Sequence, residues 1–118
     1  MYHYTTEEGL DGILESGEIW SSESQGEFPH GVYFTDLDPN NPKWEILRNN
    51  YGQSRVNQFQ SNADYYIQFR TEELSDYLNW HEVNDSRGIW WYPFNIFLDD
   101  FRYFYHGKTV ENEEVYFN

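Results

Sequence analysis

The residues best equipped for chemistry fall in the first third of the chain and at its C-terminal end. His3 sits in Tyr2-His3-Tyr4-Thr5, Tyr33 in Gly31-Val32-Tyr33-Phe34-Thr35-Asp36, and Trp44 eleven residues after Tyr33. Three carboxylates crowd Glu111-Asn112-Glu113-Glu114. An imidazole can donate or accept at its ring nitrogens, and a fixed carboxylate stabilises positive charge that develops on a reacting group. Aromatic residues make up 21% of the 118 residues, so rings must build much of the core and of any cleft, a composition suited to stacking on a flat ligand. Taken singly, each residue has a plainer role: a lone strand His is more often structural, Tyr33 and Trp44 are most simply core rings, and terminal acids are commonly a solvated end.

Other chemistries lack their residues. There is no cysteine, hence no thiol nucleophile, thiolate zinc site or disulfide. His30, His81, Glu82 and His106 match no metal-ligand spacing, so no metal is expected, and no P-loop or dinucleotide-binding glycine pattern is present.

The elements that would position these groups are marked locally. In Thr5-Thr6-Glu7-Glu8 a Thr stands three residues before a Glu, the pattern of a capping box, and a helix is expected from there to about Ser16. Leu10, Ile13 and Leu14 share one face of it, and Gly17 occupies the place of a C-terminal glycine cap. Ile19-Trp20 reads as a short strand, and residues 21–30 as a polar loop able to cover a ligand. Gly31 to Thr35 is β-branched and aromatic, a strand running into the turn Asp36 to Pro42, and a second helix is expected from Pro42 or Lys43 to about Asn50, with Pro42 suited to its first position. From Ala63 a succession of strands is predicted: Tyr65–Phe69, Trp80–Val83, Gly88–Phe94, Phe101–Tyr105 and Glu114–Phe117. Two helices in the N-terminal half and strands thereafter predict one α+β domain over residues 1–118 around a mostly antiparallel sheet.

Together, His3-Tyr4-Thr5, the Gly9-Leu10-x-Gly12-Ile13-Leu14-x-Ser16-Gly17-x-Ile19 helix and exit, and Gly31-Val32-Tyr33-Phe34-Thr35-Asp36 resemble the H-Y-E branch of ADP-ribosyltransferases. The nearest likeness is to small toxin-type domains with an HYD signature. The resemblance implies a split sheet and NAD as substrate. His3 would hydrogen-bond the adenosine ribose, the Tyr4 backbone would pair with the nicotinamide carboxamide, and Thr5 would line the same wall. Poly(ADP-ribose) polymerase-like members usually carry Gly after the His, where this chain has Tyr4. Tyr33 and Trp44 would hold nicotinamide between two rings, whose electron-rich faces attract a flat pyridinium cation. Of the late acids, Glu113 best fits the catalytic glutamate, because Asn112-Glu113-x-Val115 resembles the family's Asn-Glu-Tyr-Ile run. Glu111 with Glu113 also resembles the paired glutamates of the arginine-specific branch, and Glu114 is the reserve. With period-2 alternation Glu111 and Glu113 face one way and Glu114 the other. Glu113, His3 and Tyr33 are the expected catalytic set.

The function so implied is a toxin or effector enzyme that cleaves NAD at its nicotinamide bond and transfers ADP-ribose to a macromolecule or to water. The alternative is an inactive acidic binding module of the same fold that engages a basic protein. Seven Lys and Arg against 21 Asp and Glu, a net charge of −14, repel phosphate backbones and anionic lipids. Direct nucleic-acid binding, including a related RNA 2′-phosphotransferase activity, is therefore disfavoured, and a basic protein is the better partner. NAD's pyrophosphate still needs donors, and Lys43, Arg48 and Arg55 are the nearest cations in sequence. Without a signal-peptide pattern or a membrane-length apolar stretch, a soluble cytoplasmic product is expected, with export by a specialised route left open.

Overall fold

The computed structural model describes residues 1–21, 31–51, 57–77, 81–84 and 88–109. Strand β1 (Tyr2–Thr5) passes into helix α1 (Glu7–Ser16) at Thr6, whose backbone is extended and whose hydroxyl oxygen accepts from the Gly9 N–H at 2.9 Å. The cap thus falls one residue later than the predicted box: Thr6, not Thr5, is the capping residue, and Gly9 stands where the box needs its glutamate. Thr5 lies against Gly9 instead, so closely that a Cβ there would collide with Thr5 Oγ1. Gly17 closes α1 as expected, at φ 76°, with its N–H on the Ile13 carbonyl at 2.8 Å. Leu10 and Ile13 are buried, whereas Leu14 is left exposed at the margin of that face.

After the short β2 (Glu18–Ile19) come β3 (Val32–Thr35), α2 (Lys43–Tyr51), a 3₁₀ segment (Asn57–Ala63), β4 (Tyr65–Phe69), α3 (Thr71–Tyr77), β5 (His81–Asn84), β6 (Ile89–Tyr92), β7 (Ile96–Phe97) and β8 (Phe104–Lys108). Pro42 precedes α2, and its carbonyl accepts from the N–H groups of Glu45 and Ile46. Helix α3 was not foreseen, and the strand predicted from Phe101 begins at Phe104 because Phe101 is buried at the end of a 3₁₀ turn (Leu98–Asp100). Residues 22–30 of the loop predicted over 21–30 and the predicted strand Glu114–Phe117 lie outside the described residues.

Six strands form one sheet in the order β5-β6-β3-β1-β4-β8, every pairing antiparallel, while β2 and β7 make a separate two-stranded ribbon. The architecture is α+β, as predicted. The site depends on an asymmetry around β1. All four of its residues are in register with β4, from Tyr2↔Gln68 to Thr5↔Tyr65, but only Tyr2↔Thr35 joins it to β3. The two strands part beyond that pair.

Strand alternation sends side chains to both faces of the sheet, and each face has its own core. Leu10 and Ile13 of α1 cover Phe34, Ile67 and Phe69 together with Leu74 of α3. On the other cluster Tyr4 packs with Ile46, Leu47 and Ala63. Lys43 Nζ meets Asp64 Oδ1 at 2.6 Å, tying the start of α2 to the approach of β4.

Candidate active site

A cavity of about 520 Å³ is lined by the parting strands β1 and β3. Its walls are β1 itself, the turns of α1 that carry Thr6, Gly9, Gly12 and Ser16, the β2 exit at Glu18 and Trp20, and Gly31 with Tyr33 to Thr35. Glycine at position 31 is required by crowding: a Cβ would stand 2.6 Å from the Tyr92 carbonyl oxygen and 2.7 Å from the Trp91 ring.

His3 lines this cavity, and its Nδ1 lies 2.9 Å from the Tyr33 carbonyl oxygen. A carbonyl only accepts, so Nδ1 carries the hydrogen and Nε2 of the neutral ring presents a lone pair. The side chain of β1 thus takes over as the link to β3 where strand pairing stops. Burial pushes the imidazole pKa below its ordinary 6.5, although the bond to Tyr33 acts in the opposite direction. The unfolded chain therefore takes up a proton as pH falls through 6.5, before the folded chain does. Stability from this group is complete above that pH and is lost on acidification through the depressed folded pKa. Urea midpoints measured from pH 8 to 5 are expected to fall, and by less in His3→Gln; equal slopes would remove His3 as the cause.

Tyr4 reaches the cavity, but its ring belongs to the core beneath α2 and its hydroxyl donates to the Leu37 carbonyl at 2.7 Å. Burial first, then the neighbouring Tyr2 and Asp38, push its pKa up. Thr5 is on the wall beside Gly9. Tyr33 lines the cavity as a neutral phenol, its pKa pushed up to about 12 by burial.

Trp44 is placed elsewhere. It does not line the cavity; its ring lies under the Arg48 guanidinium at 4.9 Å, and its indole nitrogen is buried without a hydrogen-bond partner. The aromatic that α2 brings to the wall is Tyr51, with Asn50 beside it, and the Asn62 side-chain amide donates to the Tyr51 hydroxyl at 3.3 Å. Sequence reasoning did not place Tyr51 on the wall. A usable signal existed, since Tyr51 is two turns from Trp44 on the same face of α2.

Glu111, Glu113 and Glu114 lie outside the described residues, as do His30 and Arg55. Lys43 is engaged by Asp64, and no Lys or Arg among the described residues lines the cavity, whereas Glu8 and Glu18 do. Among the described residues no three His, Cys, Asp or Glu side chains gather to hold a metal, and no helix is long and apolar enough to cross a membrane.

A family model described as a HYD1 signature containing ADP-ribosyltransferase matches residues 1–96, which takes in β1, α1, β3 and the whole described cavity wall. Comparison with curated proteins and with solved structures finds no match. Enzymes of this kind use NAD as the donor of ADP-ribose. With the match spanning most of the sequence, the chain belongs to the HYD1-signature family of ADP-ribosyltransferases.

Proposed function

We propose that this chain binds NAD in the cleft between β1 and β3, breaks the bond between nicotinamide and ribose, and passes ADP-ribose to a macromolecule or to water. The observation that carries this reading is His3, held in one tautomer by the Tyr33 carbonyl where the strands separate, so that Nε2 can accept from a ribose hydroxyl. Tyr33 supplies one ring for nicotinamide. The geometry favours Tyr51 over Trp44 as the second. Because the Tyr4 ring is committed to the core, its backbone is the part left for the carboxamide. The hydroxyls of Thr5 and Thr6 are neutral donors for the pyrophosphate on a wall to which no described Lys or Arg contributes.

In the reaction the glycosidic C–N bond breaks with its electron pair going to nicotinamide, which leaves neutral. Positive charge then rests on the ribose ring. Glu113 would stabilise that charge, orient the acceptor and accept the proton that its hydroxyl or amine gives up. Carboxylates without a Lys or Arg among the described residues of the cavity wall also give weight to a second reading, an inactive domain that binds basic proteins.

Nicotinamide release from NAD by the wild type, Glu113→Gln and Tyr33→Ala separates the two, measured in low and high salt with and without a basic protein acceptor. The enzyme reading expects release by the wild type and at least about fivefold less in each variant, the loss of one stacked face alone amounting to roughly 1 kcal/mol. Absence of release under all conditions, together with no NAD binding by calorimetry, would leave the binding module.

A further inference from the structure

The β2–β7 ribbon presents an aromatic face to solvent at the rim of the cavity. Glu18 is in register with Phe97 and Ile19 with Ile96, and the latter pair is buried, at 2% and 0% exposure. Alternation puts Glu18 and Phe97 on the opposite, outward face, with Trp20 two residues beyond Glu18 and one diagonal step from Phe97. Trp20 is 68% exposed and Phe97 46%, and Phe94, at 67%, precedes β7. The ribbon is not a loose flap: the Leu98 N–H donates to the Gly17 carbonyl and the Ser21 N–H to Asn95 Oδ1, both at 2.9 Å. Large aromatic rings held in place yet left in water are typical of protein-binding surfaces.

Charge identifies the kind of partner. The chain has no Lys or Arg before Lys43, whereas Glu7, Glu8, Asp11, Glu15 and Glu18 all precede the ribbon's end. The four on α1 are exposed, and Glu8 and Glu18 reach the cavity wall. Aromatic faces beside a carboxylate are the complement of a guanidinium or ammonium on an aliphatic stem, which stacks on the rings and pairs with the acid. The same surface repels nucleic acid and anionic lipid. Because Glu18 and Trp20 belong both to this face and to the cavity wall, a chain laid across the ribbon ends at the cavity mouth.

We propose that the outward face of the β2–β7 ribbon, formed by Glu18, Trp20 and Phe97, is the dock for an Arg- or Lys-bearing segment of the protein that accepts ADP-ribose. The proposal rests on the reading that a macromolecule is the acceptor, but docking itself requires no turnover.

The test is binding of a fluorescently labelled peptide of alternating Arg and Leu, followed by anisotropy at low salt without NAD, with NAD affinity measured in parallel by calorimetry. The wild type binds this peptide and not its Glu–Leu counterpart. Phe97→Ser, whose side chain does not line the cavity, weakens the peptide about tenfold and leaves NAD affinity unchanged, while Phe97→Tyr restores binding. No binding by the wild type, or equal affinity in wild type and Phe97→Ser, overturns the dock. A wild-type dimer in light scattering that Phe97→Ser dissociates would assign the face to a second copy and also overturn it. Peptide binding without NAD binding would support the dock and count against the enzyme reading instead.

Discussion

Replacing His3 by Ala is expected to lower kcat/KM for nicotinamide release by about a hundredfold. On the proposed reading the imidazole has two jobs in different directions. Nδ1–H holds the Tyr33 carbonyl across the gap between β1 and β3, and Nε2 would be the acceptor left for NAD. A buried hydrogen bond removed on one side only costs about 1–3 kcal/mol, and two such losses near 1.4 kcal/mol each multiply to about 10²-fold. His3→Asn separates the jobs, because its amide nitrogen can replace the Nδ1 donor but reaches no further. That variant should keep the wild-type urea midpoint and still lose NAD affinity about tenfold, which one intact bond of the pair implies. If His3→Asn binds NAD as the wild type does, Nε2 is not a ligand contact.

The second large effect concerns the sheet beneath the site. Ile67→Ala is expected to destabilise the fold by about 2–5 kcal/mol in urea unfolding, a large part of the roughly 5–15 kcal/mol that a domain possesses. Ile67 has no exposed surface, is in register with His3 on one side and His106 on the other, and joins the cluster under α1 that includes Phe34 and Phe69. Those rings, 5.9 Å apart and edge to face, cannot close a void left by an aliphatic chain without moving β3. Leu14→Ala, already 38% exposed, is the control and should change the midpoint little. A loss below about 1 kcal/mol for Ile67→Ala would mean that the core relaxes around the gap.

What could be read from the sequence was what is determined by neighbours along the chain. Helix α1 was legible because its termination by Gly17 and its Leu10–Ile13 stripe are local, although two adjacent threonines left its cap open by one residue. His3 and Tyr33 were legible because each sits in a short distinctive run. Helix α3 was not, since seven residues in which Leu74 is the aliphatic side chain and is buried carry no measurable period. Tyr51 was missed for a different reason. Which turn of α2 meets the cavity depends on how the helix lies on the sheet, and a spacing counted from Tyr33 selects Trp44, which does not line the cavity, rather than Tyr51, which does. The opening between β1 and β3 is a matter of strand pairing over long distances, which composition and spacing do not encode.

That pairing also dictates when the site can exist during synthesis. Strand β1 is first in sequence but central in the sheet, with Thr35 as a partner for Tyr2 and its full register only with β4, at Tyr65–Phe69. Closing loops of such length is slow, and the chain emerges from the ribosome N-terminus first. His3 is therefore made well before β4 yet acquires its neighbours late, and a nascent chain ending before β4 has no strand to hold β1 on the side away from the cleft. The order of strands thus delays assembly of the cleft until β4 has left the ribosome.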